Sequence, residues 1–176
     1  MGLQRSARMK TVVLSMMLVI ASTNLAHASS APTQSQTSFV NAFVAAMHTK
    51  NSAAMMVLMH PEDRPCVSDK TRAFYQYIVT QQSGSFPKQK VKEISVTPIG
   101  VKDEPSIWQF LPEKMFPYPV LPTARIQINF GVGPDGYLGL DELEVAPSGA
   151  NWYWVTACPT AEGMALMRKM QKKSGH

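Results

Sequence analysis

Hydrophobic residues in the first half of the chain recur with the period of an α-helix. A first helix is predicted to begin at residue 37, with Thr37 or Ser38 as its N-cap. The residues on its apolar face are Phe39, Val40, Phe43, Val44 and Met47.

Two further helices are predicted before residue 81. Asn51 is the expected N-cap of a short helix over 52–60, and Pro61 ends it because a residue before proline is pushed out of the helical region. Ser68 and Asp69 start the third helix. Its apolar face consists of Phe74, Tyr77 and Ile78.

The second half of the chain alternates between apolar and polar residues, which is typical of β-strands. Strands are predicted over 91–99, 123–132, 137–145 and 152–158, and short turns make the last three an antiparallel meander. We therefore predict an α+β fold, with N-terminal helices packed on a curved antiparallel sheet of about four strands and a C-terminal helix capped by Thr160. The predicted core face of the second strand is Ala124, Ile126, Ile128, Phe130 and Val132.

The alternation of apolar and polar residues in the third strand changes phase near Asp141 and Glu142. Two leucines before this point lie on one face, and Leu143 and Val145 lie on the other. A β-bulge at the slip would bring both sets to the core, and a strand buried on both faces is the alternative.

A proline-rich insert, 105–122, separates the first two strands and contains five prolines. Prolines forbid a central strand or an uninterrupted helix here. The insert either packs as a lid over the sheet or presents its aromatic side chains to a partner or ligand. The predicted contact residues of the chain are Trp108, Phe110, Phe116, Tyr118, Trp152 and Trp154.

The N-terminus has the pattern of a secretory signal peptide, 1–28. Three basic residues precede an apolar run over 11–21, and Ala-His-Ala ends at residue 28. The run is shorter than the roughly 20 residues of a membrane span, so we expect cleavage rather than a retained anchor. We predict a flexible leader at 29–36, a single domain at 37–173, and export to the periplasm, with secretion as the alternative.

The positive charge of the chain is concentrated at its two ends. The full sequence carries 17 basic and 12 acidic residues, but three basic residues lie in the signal segment and four in the C-terminal tail. Nucleic-acid binding needs clustered Lys and Arg on the fold, and this distribution disfavours it. The tail is expected to be a solvated helix end, with an acidic or lipid surface as the alternative contact.

Cys66 and Cys158 are the only cysteines. An even pair in an exported protein predicts a disulfide. The alternative, a nucleophilic thiol, would need a nearby base such as His60.

The order of elements resembles the nuclear transport factor 2-like superfamily, a cystatin-like α+β group. The similar segments are the opening helices with their His-Pro end at 39–61, the third helix at 68–80, and the strands within 91–158. The resemblance implies a sheet that wraps a long helix and leaves an apolar cone. It also implies either a non-catalytic binding or assembly module, or a small enzyme such as a steroid isomerase or dehydratase, and the fold alone does not choose between them.

The sequence contains few residues that suit catalysis or metal binding. GVGPDG at 131–136 precedes a strand rather than a helix, which predicts a hairpin turn and not a dinucleotide site. Methionines at 55–59 and 164–170 suit Cu(I), but methionine at helical spacing usually fills a core, and no metal or cofactor is expected. The weak candidates for proton transfer are His60, Asp141 and Glu142, then Asp63 and His48.

The segment 58–78 is predicted to join two helices. Glu62, Asp63 and Arg64 are expected to be solvated there, and His60 to face the mouth of the cone. We therefore expect a non-catalytic module that binds a small apolar ligand or a protein partner, including a second copy. The alternative is a small isomerase or lyase in which a pocket histidine or carboxylate moves a proton.

Overall fold

The computed structural model describes residues 29–72, 74–76, 79–80, 86–134 and 136–173. The predicted signal peptide, Tyr77 and Ile78 lie outside these residues, as do the side chains of the tail beyond residue 170.

The first helix, α1, spans Gln34–His48 and begins three residues before its predicted start. Thr33 forms a capping box: its hydroxyl accepts from the Gln36 N–H, and the Gln36 side chain accepts from the Thr33 N–H at 2.7 Å. The predicted caps, Thr37 and Ser38, instead donate their hydroxyls to backbone carbonyls one turn back. The predicted leader is therefore partly helical.

The residues before α1 also contact the sheet. Ser30 and Val96 exchange two backbone hydrogen bonds, at 2.8 and 2.9 Å, in an isolated antiparallel bridge. Ser30, in the predicted leader, is thus paired with β1 of the sheet.

The second helix, α2, spans Ser52–Val57, and Asn51 caps it as predicted. Its predicted end at residue 60 is wrong. The chain becomes extended after Leu58, and Met59 forms a parallel bridge with Trp154. Pairing with a strand, and not Pro61, therefore ends this helix.

Two further α-helices follow α2 in the described part of the chain. The described part of α3 is helical at residues 72, 74–76 and 79–80. Phe74 of the predicted apolar face is buried, and Tyr75 and Val79, which the prediction left out, are buried one helical turn apart. The C-terminal helix, α4, spans Ala161–Lys173. Thr160 accepts from the Gly163 N–H at 3.2 Å, which confirms the predicted cap.

The sheet has four antiparallel strands in sequential order, which confirms the predicted α+β class and the meander. The last strand ends four residues before its predicted limit. The strands are β1 at Glu93–Pro98, β2 at Ala124–Val132, β3 at Leu138–Ser148 and β4 at Asn151–Trp154.

The predicted bulge lies in β2 and not in β3. The β2–β3 register is continuous through Asp141 and Glu142, and it shifts between Asn129 and Gly131. Gly131 adopts a positive φ of 76°, which glycine tolerates best. Because the shift reverses the alternation of side chains, Val132 is 63% exposed and not part of the core face.

The apolar residues of β3 lie on two different faces of the sheet, and this accounts for the change of phase in their alternation. Leu143 and Val145 lie opposite buried β2 residues, whereas Leu138 and Leu140 are exposed. The sequence alone could not distinguish these exposed leucines from buried ones, because both sets alternate correctly.

The core lies between α1 and the inner face of the sheet. Helical and strand side chains pack together there without an intervening element. The fully buried large residues of this layer include Val40, Phe43, Met47, Met55, Ile126, Ile128, Phe130 and Val145.

The predicted disulfide between Cys66 and Cys158 is present, and the two cysteines are 92 positions apart in the sequence. It joins a 3₁₀ turn after α2 to the segment before α4. Met59, Phe74 and Tyr75 are buried around it in a second apolar cluster.

We expect the double variant Cys66→Ser, Cys158→Ser to lose about 4–5 kcal/mol of unfolding free energy, because the crosslink limits the entropy of a long unfolded loop. Urea unfolding of both proteins measures the loss. Wild-type protein under reducing conditions is the matched control, and it should unfold at the same urea concentration as the variant. Equal stability of oxidised wild type and variant would contradict a stabilising role.

Candidate binding pocket

A cavity of about 410 Å³ lies where β3 extends beyond β4. β4 pairs only with residues 145–148 of β3, so residues 142–144 lie beyond its end. We call this cavity the edge pocket. It is lined by Phe43, Met55, Val79, Ser106, Ile107, Tyr118, Glu142, Leu143, Glu144, Trp154, Val155 and Thr156.

The proline-rich insert forms one wall of the edge pocket because Glu144 holds it there. The N–H and hydroxyl of Ser106 donate to Oε1 of Glu144 at 2.7 and 2.8 Å, and the Tyr118 hydroxyl donates to Oε2 at 3.2 Å. Arg125 lies 3.5 Å from the same Oε1. Charge-assisted hydrogen bonds of this kind are the stronger ones in proteins, so the insert is firmly attached to the sheet.

The aromatic residues of the insert are mostly turned inward. The Trp108 indole donates to the Phe116 carbonyl at 2.8 Å and packs edge-on against Tyr118, and Phe116 is fully buried. Phe110 is the exception, at 81% exposed. The insert therefore packs onto the protein, as the first alternative predicted, and presents one of its four aromatic side chains to solvent.

The insert also contacts α4. The Thr160 N–H donates to the Met115 carbonyl at 2.9 Å, and the Cys158 N–H donates to the Pro117 carbonyl at 2.7 Å. Gly163 lies so close to the Met115 carbonyl that a side chain would not fit there.

The two tryptophans of β4 occupy different sites. The Trp154 indole donates to the Met55 carbonyl at 2.8 Å and lines the edge pocket, whereas Trp152 lines a separate groove beside α1. Of the six predicted contact residues, only Tyr118 and Trp154 meet in the edge pocket.

His60 is buried away from the edge pocket. It is 3% exposed, its ring packs edge-on against Tyr153, and its Nδ1 accepts from the Glu62 N–H at 3.3 Å. Its Nε2 lies 3.4 Å from the Pro147 carbonyl. His60, which was expected at the mouth of the cone, does not line the edge pocket.

Asp63 is fully buried, which corrects the expectation that it is solvated with Glu62 and Arg64. Its Oδ2 accepts from the Thr156 N–H at 3.0 Å, and Oδ1 has no hydrogen-bond partner among the described residues. Burial raises the pKa of Asp63 to about 6, although the Thr156 N–H and the nearby His60 oppose this shift. Since Thr156 lines the edge pocket, Asp63 lies directly behind the pocket wall.

The two adjacent carboxylates of β3 lie on opposite faces of the sheet. Asp141 is opposite the buried Ile128, and burial raises the pKa of Asp141 to about 6. Glu142 is opposite Gln127, is half exposed and lines the edge pocket. Among the candidates for proton transfer, only Glu142 therefore lines the pocket.

His48, a further candidate, lies near the end of α1. Its Nε2 is 2.8 Å from the Pro87 carbonyl, and its ring packs edge-on against Phe86. It is absent from the lining of the edge pocket.

Four of the methionines that suggested copper pack in an apolar cluster. Met56, Met59, Met164 and Met167 surround the disulfide with Phe74. Within the described part of the chain, no three histidine, cysteine or carboxylate side chains converge as metal ligands.

No protein-family model, curated protein or solved structure matches this chain. Among the helices that the structure describes, none is both long and apolar enough to cross a bilayer.

We expect stability to fall as pH rises from about 4 to 6, because the folded state holds a proton on Asp63 that the unfolded chain has lost. Asp141 should contribute in the same direction. Asp63→Asn should reduce this decline in unfolding free energy by about 2–3 kcal/mol, because a shift of about two pKa units corresponds to that energy. Urea unfolding at several pH values measures it.

The matched control for this experiment is Asp69→Asn, which makes the same chemical change at a side chain that is 96% exposed. Its pH profile should follow that of the wild type. An unchanged profile in Asp63→Asn would show that Asp63 does not hold the extra proton.

Proposed function

We propose that this protein is an exported, non-catalytic binding module of the nuclear transport factor 2-like type, which takes a small ligand with an apolar body into the edge pocket. The lining of the pocket carries the proposal. Phe43, Met55 and Leu143 supply apolar surface, while Tyr118 and Glu142 supply a few polar groups. Small-molecule sites have this composition, and their volumes of about 300–1,000 Å³ include that of the edge pocket.

The order of elements supports the proposed superfamily. Three helical segments precede a four-stranded meander, and α1 packs against its inner face. Met59, which forms a parallel bridge with Trp154, lies between α2 and α3, and the proposed superfamily has short strands at that position. The disulfide is compatible with export.

A small ligand has more support than a protein partner held by the aromatic residues of the insert. A partner-binding surface of that kind needs several exposed aromatic anchors near its centre. Trp108, Phe116 and Tyr118 are turned inward, and Phe110 alone of the four is exposed.

The proton-transfer alternative has less support from the geometry. A general base has to lie within hydrogen-bond reach of its substrate. His60 and Asp141 are absent from the lining of the edge pocket, and Glu142 is half exposed at its rim.

Filling the pocket should block binding. Ile107→Trp adds an indole to the insert wall, and we expect it to raise the Kd of the neutral fluorescent probe N-phenyl-1-naphthylamine at least tenfold. Fluorescence titration measures the affinity. Leu121→Trp makes a comparable change in the same insert but outside the pocket lining, and it should leave the Kd unchanged.

The titration has two outcomes that would contradict the proposal. Wild-type protein that fails to bind the probe would remove the apolar pocket as a binding site. Equal affinity in wild type and Ile107→Trp would place the probe elsewhere. Native mass spectrometry of protein from the exported fraction complements the titration by detecting a retained small molecule.

A further inference from the structure

Negative charge predominates around the edge pocket. Glu142 and Glu144 line it, and Asp63 lies behind its wall with Oδ2 bonded to the Thr156 N–H. None of its described lining residues is a lysine, arginine or histidine. Arg125 partly compensates from the neighbouring strand, with Nε 3.9 Å from Glu142 and 3.5 Å from Glu144.

The two lining glutamates differ in their capacity to accept a ligand. Glu144 already accepts three hydrogen bonds from Ser106 and Tyr118, and it also contacts Arg125. Its carboxylate is therefore committed to holding the insert. Glu142 has one described contact, to Arg125 at the outer limit of an ion pair, and its side chain is half exposed. It retains free lone pairs at the solvent-facing rim of the pocket.

The surroundings of Tyr118 also reflect this negative charge. Burial is the main cause that raises the pKa of the Tyr118 hydroxyl above its usual range, and the carboxylates of Glu144 and Asp63 raise it further. The hydroxyl therefore remains protonated, and its environment favours positive over negative groups.

The rest of the lining includes several apolar side chains. Phe43, Met55, Val79 and Leu143 give a ligand no hydrogen-bond partner from their side chains, and Trp154 directs its indole N–H to the Met55 carbonyl. A strongly hydrated ion would lose its water against this surface at high cost, whereas a hydrocarbon body would gain by burial.

We propose that the edge pocket selects organic cations, in particular amines attached to an apolar body, and that Glu142 receives the cationic head at the rim. The inference rests on the proposed binding function and assigns the chemical class of its ligand. The apolar body fills the space between α1, α2 and Leu143, and the head remains near solvent.

The test compares two probes that differ only in the head group, 2-(1-naphthyl)ethylamine and 2-(1-naphthyl)ethanol. Isothermal titration at pH 7 and low salt gives both dissociation constants. We expect wild-type protein to bind the amine at least tenfold more tightly than the alcohol. Glu142→Gln should remove most of this preference, because it should weaken binding of the amine much more than binding of the alcohol.

The matched control is Glu93→Gln, which removes a carboxylate from the same sheet but outside the edge-pocket lining. It should keep the wild-type preference. Raising the salt concentration should weaken binding of the amine and leave binding of the alcohol unchanged, since salt screens an ion pair at the rim.

The outcomes separate this inference from the proposed function. Equal affinities of wild type for amine and alcohol would overturn the selection of cations and leave the apolar pocket intact. An amine preference that survives Glu142→Gln would overturn the role of Glu142. If neither probe binds, the proposed function fails, and the ligand class fails with it.

Discussion

Trp154 connects the helical layer to the last strand through three hydrogen bonds. Its N–H donates to the Leu58 carbonyl at 3.1 Å, its carbonyl accepts from the His60 N–H at 2.9 Å, and its indole donates to the Met55 carbonyl at 2.8 Å. β4 is only four residues long, and short paired strands are weak without such support. The disulfide at Cys158 then holds the chain four residues beyond Trp154. Together these contacts set the spacing between the walls of the edge pocket.

Glu144 and Asp63 differ in how far hydrogen bonds offset the cost of removing a carboxylate from water. Glu144 is surrounded by donors, and its hydrogen bonds offset that cost while they attach the insert to the sheet. Asp63 accepts a hydrogen bond from the Thr156 N–H, and its other oxygen has no hydrogen-bond partner within the described part of the chain, so burial raises its pKa. The first carboxylate organises the pocket wall, and the second adds negative potential behind it.

Local sequence signals predicted the helices and strands well wherever the apolar pattern of the sequence matches the residues that are buried in the structure. The alternation of β2 as far as Phe130, the caps at Asn51 and Thr160, and the disulfide are confirmed. Errors occurred where a tertiary contact overrides the local signal. The bridge between Met59 and Trp154 ends α2 early. The slip in β3 suggested a bulge in that strand, but the bulge lies in β2, and the slip arises because Leu138 and Leu140 lie on the exposed face of β3.

The sequence by itself determined the secondary-structure class, the order of elements and the covalent crosslink, because apolar periodicity, capping residues and cysteine count are local or compositional signals. Only the tertiary structure decided which polar residues are buried and which carboxylates converge. Asp63 is enclosed while its neighbour Arg64 is exposed, and Glu142 and Glu144 meet residues far away in the chain. Burial and convergence depend on contacts between distant segments, and a single sequence carries no local record of them.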